Sequence, residues 1–360
     1  MDSVDVLVVG SGPAGSHAAQ AAAEKGLSVL VLERRPQVGV PVRCGEMIPS
    51  VEEIRDMFPN YRDTDMMFSE PVCLSTKVNA IRLVDPNGKV RDFPFTGYTT
   101  DRDRFDQHFM DLAQEAGAEL KVNTAFETFK GNVAQTSAGE IGFKVLIGAD
   151  GPGSRVAQAA GLPANRNPYP AVSAQAKGDF EPIIQMFFGK IAPGAYGWIM
   201  PKKGGANVGV GFSPQFSQGS LRGYMEKFCE MHELELTTPM KGKYVPSEGP
   251  IAKTYTDNVM LAGDAAGVVM PVNGGGIPQA MMTGRMAGQA AYENIANGKS
   301  LALYEQDWKE ILWKPLHIAA NNKKLADFFA FRSDRSTAIC MSILGTRRMG
   351  KLIRCKHLFP

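Results

Sequence analysis

The chain has 360 residues, of which 44% are hydrophobic and 21% are charged, and this globular composition excludes a disordered, collagen-like or low-complexity protein. Thirty-nine lysines and arginines against 37 aspartates and glutamates give a net charge of +2, which argues against a nucleic-acid binder. The five cysteines form no CxxC pair and no apolar run is long enough to span a bilayer, so we expect a cytoplasmic protein.

The first predicted elements form a strand, a glycine-rich turn, a helix and a second strand. In the turn, Gly10 permits a tight bend, Gly12 lets the backbone approach a pyrophosphate, and Gly15 lets the helix and strand pack closely. This order is typical of a dinucleotide-binding βαβ unit, although such glycines also occur in purely structural turns. The two strands and the helix are predicted at residues 4–9, 28–32 and 16–25.

An acidic residue, Glu33, directly follows the second predicted strand. A carboxylate at this point of a βαβ unit accepts hydrogen bonds from a ribose diol. It also repels a 2′-phosphate, so the sequence predicts a site for FAD or NAD, and not for NADP.

The later part of the chain returns to the cofactor layer after an inserted sheet. The further elements are predicted as strands at 117–125, 141–150 and 258–262, an antiparallel sheet within 167–249, and helices at 277–297 and 301–360. We divide the chain into a discontinuous cofactor-binding domain (1–70, 101–165 and 251–298), a β-sheet substrate domain (71–100 and 166–250) and a C-terminal helical region (299–360).

Two further motifs favour a flavin. Asp264 ends a predicted strand, where its carboxylate can bond a ribityl hydroxyl, and the glycines at 274–276 precede a helix whose start can stabilise negative charge on a reduced flavin. Asp150, in Gly-Ala-Asp-Gly, can bond backbone groups around the first strand–turn–helix. Each motif alone is equally typical of a capped turn, but the combination is much more specific.

On these residues the sequence resembles the FAD-dependent geranylgeranyl reductase family, among flavoproteins of the p-hydroxybenzoate hydroxylase fold. The resemblance covers most of residues 4–298 and implies an α/β fold, with a Rossmann-type FAD domain, an inserted antiparallel β-sheet substrate domain and C-terminal helices. Four stretches carry it: residues 10–33, Pro-Val-Arg-Cys-Gly-Glu at 41–46, Pro-Gly-Ala-Tyr-Gly-Trp-Ile-Met-Pro at 193–201, and residues 263–277.

The resemblance also implies which residues hold FAD. The family pattern places residues at the ADP half, at the phosphate and ribityl region, at the adenine and at the flavin ring. These are Gly10, Gly12, Ala14, Gly15, Glu33 and Arg34 for the ADP half; Arg102, Asp150 and Asp264 for the phosphates and ribityl chain; Phe126 for the adenine; and Cys44, Gly45, Met47, Gly275, Gly276 and Ile277 around the ring.

Reduction of an isolated alkene requires a hydride, a proton and an apolar, water-poor cavity. The candidate catalytic residues are Cys44, Tyr196 and Trp198, with Tyr196, Cys44 or a bound water as the proton source. Tyr196 and Trp198 are two apart, so on a strand they would share one face and form an aromatic wall. The alternatives are an aromatic core ladder for this pair and a small buried hydrophobe for Cys44. Five methionines are expected near the cavity or in helix cores: Met200, Met270, Met281, Met282 and Met286.

We expect an FAD-dependent reductase of geranylgeranyl chains on a lipid, with an archaeal-type ether phospholipid favoured over a chlorophyll precursor or an isoprenoid quinone. The alternatives are an aromatic monooxygenase or halogenase of the same fold, and a non-catalytic FAD- or lipid-binding protein. No second GxGxxG unit exists, so the electron donor stays open among NAD(P)H, ferredoxin and other donors.

The C-terminal region is basic and apolar. Residues 330–360 carry seven lysines and arginines against one acid, Asp334, interleaved with aromatic and aliphatic residues. Such a segment is typical either of a solvated helix face or of peripheral contact with the cytoplasmic face of a membrane.

Overall fold

The computed structural model describes residues 2–64 and 74–358. Its strands are β1 (Asp2–Val9), β2 (Val29–Leu32), β3 (Met47–Pro49), β4 (Leu74–Val84), β5 (Val90–Thr100), β6 (Glu119–Lys121), β7 (Phe126–Lys130), β8 (Val133–Thr136), β9 (Gly139–Gly148), β10 (Tyr169–Lys177), β11 (Ile183–Phe187), β12 (Gly197–Lys202), β13 (Gly205–Gly211), β14 (Lys241–Val245) and β15 (Val259–Leu261). Its helices are α1 (Pro13–Ala23), α2 (Val51–Met57), α3 (Arg102–Glu115), α4 (Arg155–Ala159), α5 (Leu221–Met231), α6 (Ile277–Asn297), α7 (Ala302–Trp308), α8 (Lys314–Phe329) and α9 (Asp334–Ile353).

The first sheet is built around β1, whose apolar residues are almost fully buried. Strands β6, β2, β1 and β9 are parallel neighbours, β15 adds in parallel beside the end of β9, and β8 and β7 complete the sheet antiparallel. The carboxyl ends of β1, β2 and β15 therefore lie at one edge, which is where α/β sheets bind their ligands.

The second sheet is mostly antiparallel, in the order β14-β10-β13-β12-β11-β4-β5-β3, with β11 and β4 parallel. One face carries alternate apolar residues, including Val172 and Val208, that pack on Phe228 and the rest of the apolar side of α5. The other face carries Trp198 and Met200 and packs on α9. The predicted α/β fold is confirmed, whereas the division into three regions stays a prediction whose 70/71 boundary lies outside the described residues.

Helices α1 and α6 cross in direct backbone contact. A Cβ on Gly284 would lie 2.1 Å from the carbonyl oxygen of Ala14, and a Cβ on Gly288 would lie 2.3 Å from that of Ala18. Only glycine permits this approach, so the C-terminal return of the chain holds the first helix against the sheet.

Most predicted boundaries differ from the structure by a few residues, and the predicted helical region 301–360 is divided into α7, α8 and α9. Two differences have a clear physical reason. Helix α1 begins at Pro13 and not at residue 16, because proline suits the first helical turn, where its missing N–H has no partner to lose. The predicted strand at 117–125 contains only β6, because Asn123 adopts a φ of +52° and bonds the carbonyl of Arg35. Phe126 consequently opens β7, so its predicted place directly after a strand is wrong.

In the described part of the chain, every helix is too short or too polar to cross a membrane. Helix α9 is interrupted at Gly345, whose φ of 60° and ψ of 176° are accessible to glycine and strained for other residues.

Candidate functional site

The turn between β1 and α1 is an open backbone cradle. Gly10 has a φ of +103°, and a Cβ there would lie 2.4 Å from the carbonyl oxygen of Ala149. A Cβ on Gly15 would lie 1.8 Å from the carbonyl oxygen of Gly10, whereas a Cβ on Gly12 would meet no atom within 4 Å. No side chain caps α1 at Gly12, so its first N–H groups are available to a pyrophosphate.

Glu33 lies at the end of β2, at the edge of this cradle. Its buried carboxylate accepts hydrogen bonds from the N–H and hydroxyl of Ser11, at 3.3 and 2.7 Å, and from the N–H of Arg35 at 2.9 Å. Ala14 is buried in the first turn of α1, and Arg34 is exposed beside Glu33. The acid is thus held at the turn, as a ribose-binding carboxylate must be.

Asp264 and the glycines before α6 form a second cradle. A Cβ on Gly276 would lie 3.3 Å from Oδ1 of Asp264, and Gly276 begins α6 without a side-chain cap. The N–H of Gly275 donates to Oδ1 of Asn273 at 2.9 Å, and Ile277 is buried in the first turn. The start of α6 therefore faces the carboxylate of Asp264.

The two cradles adjoin and fit the two halves of FAD. A Cβ on Gly263 would lie 3.0 Å from Cβ of Ala14, so the turn that carries Asp264 touches the first turn of α1. Lys243, on β14, reaches Asp264 across this region, with 2.8 Å between Nζ and Oδ2. Burial alone would lower the pKa of Lys243, but Asp264 raises it above the usual range. Lys243 was missed from the sequence; the alternating lysines at 241 and 243 were its only signal.

Asp150 bonds a different element from the one predicted. Its Oδ2 accepts the N–H groups of Arg155 at 2.7 Å and Val156 at 3.3 Å, so it caps α4, while its buried Oδ1 has no protein partner. The predicted bonds to the first strand–turn–helix are wrong, because the N–H of Ala149 makes that contact, with the carbonyl of Val9 at 2.8 Å. The carbonyl of Phe126 accepts from the guanidinium of Arg155 at 3.3 Å.

Residues 41–46 form the turn that contains Cys44, which we call the cysteine turn. Arg102 begins α3 close to it. Its guanidinium forms two bonds with Asp106, at 2.7 and 2.8 Å, and its N–H donates to Oε1 of Glu46 at 3.0 Å. This ion pair fixes the arginine at the helix start, so contact with FAD stays a prediction for it.

The cysteine turn packs against the second sheet. Sγ of Cys44 accepts the N–H of Glu46 at 3.2 Å. A Cβ on Gly45 would lie 2.9 Å from Sδ of Met200, so the turn packs tightly against the Met200 side chain of β12. Met47 follows in β3 and is partly buried against the apolar residues between the second sheet and α9.

Tyr196 and Trp198 lie on one side of the sheet, edge to face, with ring centroids 6.0 Å apart. The hydroxyl of Tyr196 donates to the carbonyl of Asn273, and burial raises its pKa above the usual range. The indole N–H of Trp198 donates to Oδ1 of Asn207 at 2.8 Å. A Cβ on Gly209 would lie 2.2 Å from the indole ring, so this glycine makes the slot in which Trp198 lies.

An apolar cluster extends from these rings between the second sheet and α9. Met200 belongs to it, whereas Met270, Met281, Met282 and Met286 lie in the core of the first sheet, as the helix-core alternative predicts. The buried members of the cluster are Val78, Ile81, Leu83, Phe93, Phe95, Ile184, Met186, Trp198, Met200, Met341, Met349 and Ile353. The sheet face beside the cysteine turn is therefore covered by α9 and forms an apolar, water-poor core next to the two rings.

Some basic residues of the C-terminal region form ion pairs with α2, and others are exposed to solvent. Arg354 pairs with Glu53 at 2.5 Å and Lys356 with Asp56 at 2.5 Å, so both hold the end of the chain to α2. Arg332, Arg335 and Arg347 are exposed among large apolar side chains of α8 and α9. These exposed apolar residues are Leu325, Phe328, Phe329, Ile339 and Ile343.

Two family models match the chain. One describes an FAD dependent oxidoreductase and matches residues 5–132. The other describes a geranylgeranyl reductase catalytic domain and matches residues 171–243. The first covers the Gly10 cradle and the second covers the strands that carry Trp198 and Lys243.

Similar proteins span nearly the whole chain. A digeranylgeranylglycerophospholipid reductase of Methanocaldococcus jannaschii is 35% identical over 86% of this chain and 83% of its own. That of Methanothrix thermoacetophila is 34% identical over 92% and 88%. A crystal structure from Thermoplasma acidophilum, described as geranylgeranyl bacteriochlorophyll reductase-like, is 30% identical with a TM-score of 0.81 over 90% and 87%. A myxobacterial FAD-dependent halogenase, 18% identical with a TM-score of 0.71 over 92% and 83%, shares the fold alone.

Proposed function

The chain belongs to the digeranylgeranylglycerophospholipid reductase family of FAD-dependent oxidoreductases, and we propose that it saturates carbon–carbon double bonds in the geranylgeranyl chains of an archaeal-type ether phospholipid. FAD is its cofactor and supplies the hydride when reduced and bound. The residues of the two adjoining cradles, at Gly12 and at Asp264, would hold its pyrophosphate and ribityl chain.

The observation that carries the proposal is the apolar cluster beside the cysteine turn. It joins the rings of Tyr196 and Trp198 to the buried face of α9. The cluster is already packed and dry, so an isoprenoid chain held at its edge, beside the two rings, would be shielded from water, which would otherwise capture a cation-like centre on the alkene. The faces of the two rings would stabilise positive charge at that centre.

Protonation of the alkene needs a donor held near this surface. The hydroxyl of Tyr196 is protonated at neutral pH, as that of any tyrosine is, and burial raises its pKa further, which makes it a weaker acid. Its proton is directed at the carbonyl of Asn273, so transfer to an alkene requires this bond to open. Cys44, on the turn opposite, is the alternative donor. Both residues support a protonation step in which the protein supplies the proton.

The reaction is tested by anaerobic incubation of the dithionite-reduced holoprotein with digeranylgeranylglycerophospholipid, followed by mass spectrometry. We expect mass gains in units of two hydrogens. Unchanged lipid in the presence of bound, reduced FAD would contradict the proposal. Oxygen-dependent NAD(P)H oxidation with a phenol would assign the protein to the hydroxylase and halogenase class instead.

The exposed apolar residues of α8 and α9 support peripheral contact with an anionic membrane, at its cytoplasmic face. Phe328, Phe329 and Ile343 are 58%, 59% and 67% exposed and lie among exposed arginines. Apolar side chains next to cations are what an interfacial helix presents to lipid. A lipid substrate makes such contact useful.

Vesicle sedimentation tests this contact. We expect the holoprotein to bind phosphatidylglycerol-containing vesicles, and the double substitution Phe328→Ser with Phe329→Ser to weaken the binding several-fold. Met231→Ser removes an equally exposed apolar residue, 61% exposed on α5, and should leave binding unchanged. Equal binding by all three proteins would contradict the contact. Truncation before Arg347 is unsuitable, because it removes the buried residues Met349 and Ile353.

A further inference from the structure

Glu46 is a fully buried carboxylate with an unusual number of hydrogen-bond donors. Its side chain is 0% exposed, and its backbone adopts a φ of 63°, in the left-handed region that residues other than glycine rarely occupy. Its Oε1 accepts the N–H of Arg102 and its Oε2 accepts the side-chain amides of Gln175 and Asn207. These bonds hold the carboxylate from several elements, and they stabilise a backbone conformation that glutamate rarely adopts.

The donors come from separate parts of the fold. Gln175 lies on β10, Asn207 on β13 and Lys202 at the end of β12, at 2.6, 2.8 and 3.0 Å. Lys202 also pairs with Asp101 at 2.8 Å, so the ammonium group balances two carboxylates. Glu46 therefore fastens the cysteine turn to three strands of the second sheet.

Two chains of bonds lead from Glu46 to candidate catalytic residues. Its own N–H donates to Sγ of Cys44 at 3.2 Å. Its Oε2 accepts Nδ2 of Asn207 at 2.8 Å, and Oδ1 of Asn207 accepts the indole N–H of Trp198, also at 2.8 Å. The second chain orients Asn207, because an amide whose N–H₂ faces a carboxylate must present its oxygen to the indole.

The slot around Trp198 makes its orientation depend on that bond. The indole lies against Gly209 on one side, and Gly45 approaches its Nε1, since a Cβ on Gly45 would lie 3.7 Å from that nitrogen. Packing against these backbones and the ring of Tyr196 holds the indole in its slot. The hydrogen bond to Asn207 fixes which way its N–H points there.

We propose that Glu46 is a positioning residue that acts through Asn207 to hold the Trp198 indole in the orientation used for alkene reduction. This inference rests on the proposed function for its catalytic part. Its structural part, the Glu46–Asn207–Trp198 chain, is independent of the substrate.

The test compares two variants that each remove a buried side-chain amide. Asn207→Leu breaks the link between Glu46 and Trp198, and Asn322→Leu is the control, because its amide donates to the carbonyl of Lys356 and lies outside the Glu46 network. Holoproteins are labelled with 5-fluorotryptophan, which gives one ¹⁹F signal for each of the three tryptophans, and Trp198→Phe assigns the signal of Trp198. We expect this signal to shift or broaden in Asn207→Leu and to stay unchanged in Asn322→Leu.

Kinetics of alkene reduction complete the test. We expect kcat to fall roughly 10- to 100-fold in Asn207→Leu, with FAD affinity unchanged, and to change less than about twofold in Asn322→Leu. In the Trp198→Phe background, Asn207→Leu should add little, since both changes remove the same interaction. Glu46→Gln keeps the volume of the side chain and should move the Trp198 signal as well.

The outcomes separate this inference from the proposed function. A Trp198 signal that is unmoved in both Asn207→Leu and Glu46→Gln overturns the inference, even if the lipid is reduced. So does a full additional loss of kcat when Asn207→Leu is added to Trp198→Phe. A moved signal in a protein that reduces no lipid upholds the positioning chain and contradicts the function.

Discussion

The hydroxyl of Tyr196 is directed at a backbone carbonyl, that of Asn273, directly before the glycines that open α6. This bond orients the phenol without the help of a charged partner, and burial of the group keeps it protonated. The residue is thus able to donate a proton and also to fix the loop that faces Asp264.

Tyr196→Phe separates these two roles. If the hydroxyl supplies the proton, lipid reduction should slow by roughly 100-fold, while the visible spectrum and affinity of bound FAD stay unchanged. Tyr224→Phe is the control, because its hydroxyl bonds Ser217 on the opposite side of the sheet. Unchanged turnover in Tyr196→Phe would assign the proton to Cys44 or a water molecule.

His17 gives a pH dependence to stability that has no connection with catalysis. Burial and, to a smaller extent, the charge of Arg285 lower the pKa of His17 to about 3, against the bond to the carbonyl of Pro13, which raises it. The unfolded chain binds a proton at His17 below pH about 6.5, whereas the folded chain does not. The free energy of unfolding therefore falls as the pH is lowered from 6.5 towards 3, by up to about 1.4 kcal/mol per pH unit.

His17→Phe should remove this part of the pH dependence and keep a ring against Phe109, whose centroid lies 4.6 Å away. Denaturant unfolding of both proteins at pH 7.5, 6 and 5 measures the difference. Above pH 6.5 His17 contributes no slope, so the two proteins should differ there by a constant. Parallel curves across the whole range would mean that His17 is protonated in the folded protein.

At the scale of elements, the contact between α1 and α6 fixes the geometry of the first cradle. Gly284→Ala places a Cβ 2.1 Å from the carbonyl of Ala14, so α1 must shift. We expect a loss of about 1–3 kcal/mol in stability together with weaker FAD binding. Gly153→Ala is the control, because a Cβ there meets no atom within 4 Å. FAD affinity equal to the wild type would show that α1 shifts without disturbing the cradle.

Local sequence patterns were sufficient to predict those parts of the candidate site that a few neighbouring residues form. The cradle at Gly10, the acid at Glu33 and the helix after Gly276 depend on a few neighbouring residues, and the structure has them near their predicted places. Asp150 was misassigned because an Asp-Gly turn looks the same whether it caps the next helix or contacts an earlier strand. That choice depends on the position of α4, which short-range pattern does not encode.

At the scale of the whole molecule, the missed residues are those that join distant segments. In the sequence, Glu46 is 129 positions from Gln175 and 161 positions from Asn207. Lys243, on the second sheet, pairs with Asp264, which follows a strand of the first sheet. Gln175, Asn207 and Lys243 are ordinary polar residues of their strands, and Glu46 lies in the turn before β3. Their importance appears only when the second sheet is placed over the cysteine turn, which single-sequence patterns do not determine.

This arrangement predicts that FAD links the stability of the two sheets, because its cradle lies between β1 and α6 and adjoins β14. Free FAD at 100 times its Kd should stabilise the folded protein by about 2.7 kcal/mol, seen as a Tm increase of several degrees. Gly12→Ala tests whether the pyrophosphate occupies the open cradle. A Cβ there meets no protein atom within 4 Å, so the apoprotein should melt as the wild type does. The FAD-dependent increase in Tm should nevertheless shrink, because the added methyl group occupies the space of the ligand. An equal increase in both proteins would mean that FAD does not approach the backbone at Gly12.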